Sequence, residues 1–195
     1  MSKSFSVDWF SSNIPYLQEY LAPIAGHPHI HALEVGSFEG RSTTWFLDTI
    51  LTHPTSHITC VDTFKGSPEH EGVVETDSLL QRFSSNIKRY QNVNRITVFQ
   101  QTSEQFFIQN VSKMQGKFDF IYIDGSHKAC DVLTDAVFSI RLLKNGGYLI
   151  FDDYNWPHES EEIYKPKIAV DSFIKCFEDQ CKVLHIGDIC IMQKV

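Results

Sequence analysis

From Leu33 onward, short apolar runs alternate with amphipathic stretches, and the alternation predicts strands at 31–35, 57–62, 95–100, 118–123 and 147–152. Helices are expected between them, over 41–52, 77–90, 103–113 and 128–143. The clearest is the last. Its Ala129, Val132, Leu133, Ala136, Val137, Ile140 and Leu143 recur at spacings of three and four, which sets one apolar face against a sheet. Asp77 and Ser103 stand where helix N-caps are wanted, and Asn145-Gly146-Gly147 supplies residues that tolerate a left-handed stop. Past a helix expected over 167–180, KVLHIGDICIMQKV reads as two strands joined at Gly187-Asp188, an antiparallel hairpin. Residues 1–26 read as a peripheral helical segment, with Asn13 and Pro15 at its start and Pro23 as its stop. The whole is an α/β pattern, a doubly wound and mainly parallel sheet in a single domain over 1–195.

Acidic residues close the apolar runs. Glu34 sits in HALEVG, Asp62 ends HITCVD, Asp124 ends FDFIYID, and Asp152-Asp153 end YLIFDD. Ligands of open α/β sheets bind outside the carboxyl ends of the strands, where strand order reverses. Five carboxylates on that rim make a negative field, which repels phosphate and accepts a cationic cofactor, a metal ion, or both. The irregular acidic stretches 65–76 and 154–166 both follow strands and are expected over the same rim.

Composition narrows the partners. A formal charge of −7 argues against nucleic acid and anionic membrane surfaces, and leaves a small molecule as the expected partner. No apolar run reaches the roughly 20 residues of a membrane span, and MSKSFSVDWFSS lacks a secretory pattern. Five cysteines without CxxC spacing read as reduced thiols in a cytoplasmic protein. Oligomeric state is open, a homo-oligomer included.

The first strand runs through Glu34-Val35-Gly36-Ser37-Phe38-Glu39-Gly40 into a helix. A dinucleotide fingerprint needs glycine at 38 and 41, where this chain has Phe38 and Arg41, and no Walker lysine follows. The loop suits a smaller, uncharged or cationic group, with Glu34 able to face an ammonium or sulfonium. Asp62 ends the second strand 26 residues after Gly36, near the spacing at which a carboxylate accepts from ribose hydroxyls. As plain structure, Glu34 caps a helix and Asp62 is a strand-end turn residue.

With this loop, and with IDGSH (123–127) followed by LLKNGGYLIFDDY (142–154), the chain resembles class I S-adenosylmethionine-dependent methyltransferases, in the small-molecule branch of macrocin-type sugar O-methyltransferases, methyltransferase domain family 24. The resemblance implies a Rossmann-like seven-stranded sheet ending in an antiparallel hairpin. It also implies S-adenosylmethionine as cofactor, held by Glu34, Gly36, Ser37, Gly40, Asp62, Ser103 and Asp124. Ser103 follows the third strand, beside the expected adenine, where the family more often has a carboxylate. Asp124, Asp152 and Asp153 offer hard oxygen ligands of the kind that favour Mg²⁺, Mn²⁺ or Ca²⁺ over zinc; as plain structure, Asp124 caps the following helix and Asp153 forms a turn with Tyr154. Read from position alone, His127 is either a base beside that metal or a helix-start histidine bonded only to backbone. The resemblance implies the catalytic base, and metal ligands at 124, 152 and 153. His27, His29 and His31 are explained by entry into the first strand; Trp156 and His158 lie in a loop that reaches the acceptor or simply faces water. The expected activity is O-methylation of a vicinal diol, sugar or catechol-like hydroxyl with help from a divalent ion. The competing readings are a metal-dependent hydroxylase or hydrolase on this fold, and a binding module without chemistry.

Overall fold

The computed structural model describes residues 3–67, 72–156 and 161–195. Seven strands form one sheet: β1 (His31–Val35), β2 (His57–Asp62), β3 (Ile96–Gln100), β4 (Phe118–Ile123), β5 (Leu143–Phe151), β6 (Cys181–Ile186) and β7 (Cys190–Lys194), in the order β3-β2-β1-β4-β5-β7-β6. The first five strands pair in parallel, and β7 runs antiparallel to both β5 and β6. Strand order reverses between β1 and β4, which fixes the crevice above their carboxyl ends.

Alternation along each strand sends side chains to two apolar layers. Ala32, Ile58, Phe120, Tyr122 and Ile150 pack on one face with Phe46, with Leu17 and Leu21 of α1 (Ile14–Leu21), and with Phe83 of α3 (Leu79–Gln91). Leu33, Val61, Ile121, Leu149 and Phe151 pack on the other with α4 (Ser103–Asn110), α5 (Ala129–Leu142) and α6 (Pro166–Cys176), through Phe106, Val132, Ile140 and Phe173. Among the described residues, no helix is long and apolar enough to cross a membrane.

Several boundaries differ from expectation for local reasons. The first βα helix is α-helical only as α2 (Arg41–Trp45), then widens into a π turn over Phe46–Ile50. Thr102, not Ser103, caps α4 by accepting from the Gln105 amide. Asp77 caps nothing; Ser78 precedes α3, and its amide is taken by the Glu75 carboxylate. Asn145-Gly146-Gly147 does not stop α5, which ends at Leu142, but lies inside β5, where Gly146 has a positive φ beside the register shift opposite Phe118/Phe120. The N-terminal segment is not peripheral. Leu17 and Leu21 are fully buried, Phe10 joins the same layer, and Asn13 leaves α1 uncapped because its side chain is used elsewhere.

Candidate active site

The loops after β1 and β4 touch. Gly36 has φ 83°, and a Cβ there would lie 1.9 Å from the Asp124 carbonyl oxygen, so only glycine allows the approach. Gly40, at φ 81°, opens α2 with its Cα facing the Phe83 ring.

Glu34 points into the layer beneath α2 and is fully buried. Its oxygens accept from Ser37 Oγ at 2.7 Å, Ser42 Oγ at 2.7 Å and Thr43 Oγ1 at 2.5 Å, with Cys60 Sγ at 3.3 Å. Burial raises its pKa against the pull of those hydroxyls. Glu34 therefore presents no oxygen to the crevice; it holds the loop. Asp62 accepts the amides of Ser37 (2.7 Å) and Phe38 (2.9 Å) on one oxygen and Phe64 (2.6 Å) on the other. Phe38, Phe64 and Asp153 all adopt positive φ (47°, 54° and 53°) in the loops after β1, β2 and β5. Strained non-glycine residues of this kind persist where surrounding structure imposes them, and they concentrate at ligand sites.

The carboxylates converge on Asp124. Burial first, then the charges of Asp152, Asp153, Glu34 and Asp62, push its carboxyl well above the usual range. Each of the other four strand-end acids thus lies within electrostatic reach of Asp124. The ligand atoms of Asp124, His127 and Asp153 lie within 4.8 Å of each other, a set compact enough for one divalent ion. His127 Nε2 is 2.9 Å from Asp153 Oδ2, and its ring centroid is 4.2 Å from that of Trp156.

Asp152 is held differently from Asp153. It continues the Tyr148–Ile150 side of β5 and so turns toward α1 rather than the rim. There Oδ1 accepts from Asn13 Nδ2 at 2.8 Å and from the Asp153 amide at 2.9 Å, while Oδ2 accepts from the buried Tyr122 hydroxyl. Burial, with the neighbouring charge of Asp153, pushes Asp152 up to about 7. Ser103 also turns inward. It lies near the buried Asp135 of α5, whose carboxyl burial raises to about 7 against the pull of the Ser103 hydroxyl. His31 and His57 lie at the opposite end of the sheet, away from the rim, with tilted rings whose centroids are 6.4 Å apart. His158 lies outside the described residues.

Asn13, Tyr122 and the His127–Trp156 contact were not legible as site features. Asn13-x-Pro15 has the form of a helix start, and Tyr122 that of a core strand residue.

A family model described as a methyltransferase domain matches residues 33–154. Among curated proteins there is no sequence match. An O-methyltransferase from Bacillus cereus, solved in complex with S-adenosylhomocysteine, aligns with a TM-score of 0.67 at 17% identity, over 96% of this chain and 83% of that one. The O-methyltransferase TomG from Streptomyces achromogenes, in complex with S-adenosylmethionine, aligns at 0.69 and 12% identity, over 96% and 82%. MycE of the mycinamycin pathway, in complex with Mg and S-adenosylhomocysteine, aligns at 0.63 and 15%, over 97% of this chain and 51% of its own. At such identities the likeness to solved structures establishes the Rossmann-like fold. The family match, which runs through more than half of the chain from β1 to the loop carrying Asp152 and Asp153, establishes the rest: this protein belongs to the methyltransferase domain family.

Proposed function

We propose that the protein transfers the methyl group of S-adenosylmethionine to a hydroxyl of a small molecule with two neighbouring oxygens, such as a catechol or sugar diol, with a divalent ion in attendance. The observation that carries this is the cluster of Asp124, His127 and Asp153 ligand atoms, all within 4.8 Å of one another, at the β1/β4 crevice. A site so charged favours a sulfonium donor and a hard cation, and the loop lacks the glycines that a pyrophosphate needs.

The residues divide the work. Glu34 and Asp62 fix the loop that receives the cofactor. Asp62 spends three of roughly four lone-pair sites on amides and keeps capacity for a ribose hydroxyl. Asp124 and Asp153, with His127 beside them, fit a divalent ion by distance and by donor chemistry. When bound, that ion orients the two acceptor oxygens and lowers the hydroxyl pKa. The contact of Nε2 with Asp153 at 2.9 Å orients the His127 ring beside the acceptor, where the imidazole takes the acceptor proton. The acceptor oxygen bonds the methyl carbon as the carbon–sulfur bond breaks, leaving neutral S-adenosylhomocysteine. Alignment of oxygen, carbon and sulfur is worth about 7–11 kcal/mol in favourable cases, against about 3–5 kcal/mol for a positioned base, so geometry outweighs proton removal. Five free cysteines suit a reducing cytoplasm.

The test is release of S-adenosylhomocysteine from purified protein given S-adenosylmethionine, Mg²⁺ and a panel of catechols and sugar diols. We expect turnover with a vicinal diol and a loss of it with the matching mono-ol. Cofactor binding with no product from any acceptor would favour a module without chemistry.

A further inference from the structure

Residues 3–9 have no helix or strand of their own, and a polar stripe on α3 holds them. Arg82, Asn86 and Arg89 recur at spacings of four and three, so they share one face of that helix. Asn86 grips the Ser4 backbone twice: Oδ1 accepts the Ser4 amide at 2.9 Å, and Nδ2 donates to the Ser4 carbonyl at 2.8 Å. One turn earlier, Arg82 Nε donates to the Glu39 carboxylate at 2.6 Å, and that carboxylate accepts the amide and hydroxyl of Ser6 at 2.6 Å each. At the third position, Arg89 and Lys3 share the Asp48 carboxylate. Two residues of extended chain span about 6.6 Å and four residues of helix rise about 6 Å, so Ser6 and Ser4 keep step with Arg82 and Asn86 as the segment runs antiparallel to α3.

We propose that Glu39 and Asn86 are positioning residues for the cofactor: they clamp residues 3–9 along α3 as a releasable strap, and the docked strap holds the loop after β1 in its receiving shape. The proposal rests on the reading that this loop receives S-adenosylmethionine. Ser37 and Phe38 give their amides to Asp62, and the next residue, the buried Glu39, is the one tied to both the strap and α3. Its carbonyl also accepts Asn86 Nδ2 at 2.9 Å, so the side chain that grips Ser4 grips the loop as well. Arg41, just past the loop, pairs with Asp8 at 3.1 Å and lies 4.6 Å from the centre of the Phe5 ring, while the Trp9 and Phe38 rings are 5.5 Å apart. Ser4, Ser6, Asp8 and Trp9 are exposed, and the first buried side chain of the segment is Phe10. A segment anchored by polar bonds with few buried apolar contacts opens at low free-energy cost, which makes the strap releasable. A cofactor that prefers the settled loop draws the strap down, and the docked strap tightens the cofactor by the same factor.

The double variant Ser4→Pro with Ser6→Pro tests this. It removes two strap amides and the Ser6 hydroxyl at exposed positions and leaves α3, Glu39 and the core untouched. Calorimetric S-adenosylhomocysteine affinity should fall about 5–20-fold, and Asn86→Ala should move it in the same direction. In the parent protein, saturating S-adenosylhomocysteine should slow hydrogen exchange at the Ser4 and Ser6 amides by the same factor. Either parent-like affinity in the double variant or ligand-independent exchange at both amides overturns the proposal. Should the parent bind no S-adenosylhomocysteine, the cofactor reading falls instead, and exchange at the Ser37, Phe38 and Gly40 amides decides the clamp. Faster exchange there in the double variant supports it, and unchanged exchange refutes it.

Discussion

The two ends of the parallel strands face the same electrical problem and solve it differently. At the amino end, His31 and His57 sit near Lys117 and Lys144, and the Asp119 carboxylate is shared between Lys144 Nζ at 2.8 Å and the His31 amide at 2.8 Å. Burial first, then the neighbouring cations, lowers the pKa of His31; burial likewise leads for His57. Both histidines relieve the crowding by staying neutral. At the carboxyl end, Asp62, Asp124 and Asp153 stand at the rim above Glu34 and Asp152, which hydroxyl and amide donors hold, and among the described residues the ion pairs of these five acids are limited to His127 with Asp153. Aspartates at neutral pH can relieve such crowding only by holding a proton or by gaining a cation. The amino end is finished by folding, whereas the carboxyl end is left to be completed by a ligand.

The largest effect should come from Gly36→Ala, which forces a Cβ into the Asp124 carbonyl at a positive φ. A loss of about 3–5 kcal/mol in urea denaturation is expected; a loss under about 1 kcal/mol would mean that the two crevice loops do not touch. Asp124→Asn should separate function from stability. It should lower S-adenosylmethionine affinity at least about tenfold, yet raise the melting temperature at pH 8 by a few degrees, because one of several crowded charges is gone. A matching fall in both would make Asp124 a structural residue.

Asp135 separates burial from crowding, because the Ser103 hydroxyl and a weaker repulsion from Asp131 are what oppose or add to its desolvation. Its folded pKa is raised to about 7, so the folded state holds an extra proton between the unfolded value and that pH, and its stability contribution is lost as pH rises through about 7. Asp135→Asn should therefore stabilise by about 3–4 kcal/mol more at pH 8 than at pH 4, read from denaturation midpoints. The smallest effect belongs to the amino end. The folded pKa values of His31 and His57 are lowered, so the unfolded chain binds more protons below the ordinary imidazole value of 6.5, and stability falls as pH drops through it. His57→Gln should flatten that acid limb by under about 1 kcal/mol, since the ring is half-exposed.

How much of this could be read beforehand follows from the physics of each residue. Strand and helix positions were legible because sheet and helix periods imprint directly on apolar spacing, and the rim was legible because Asp62, Asp124 and Asp152-Asp153 each end such a run. Side-chain direction at the strand ends was harder. Asp152 and Asp153 look equivalent in sequence, and only the alternation of β5 together with the left-handed Asp153 sends one inward and the other to the rim. The role of Glu34 was hidden for a similar reason, because Ser37, Ser42 and Thr43 come over it only when α2 folds back above the sheet. Asn13 was misplaced because its partner is 139 residues away, and local spacing carries no trace of a contact that distant.

The most direct measurement is a calorimetric titration of S-adenosylmethionine into the purified protein, with and without Mg²⁺. A saturable one-to-one isotherm that weakens in Asp124→Asn is the expected result. Silent titrations under both conditions would contradict the idea that this rim is built to receive a positively charged sulfur.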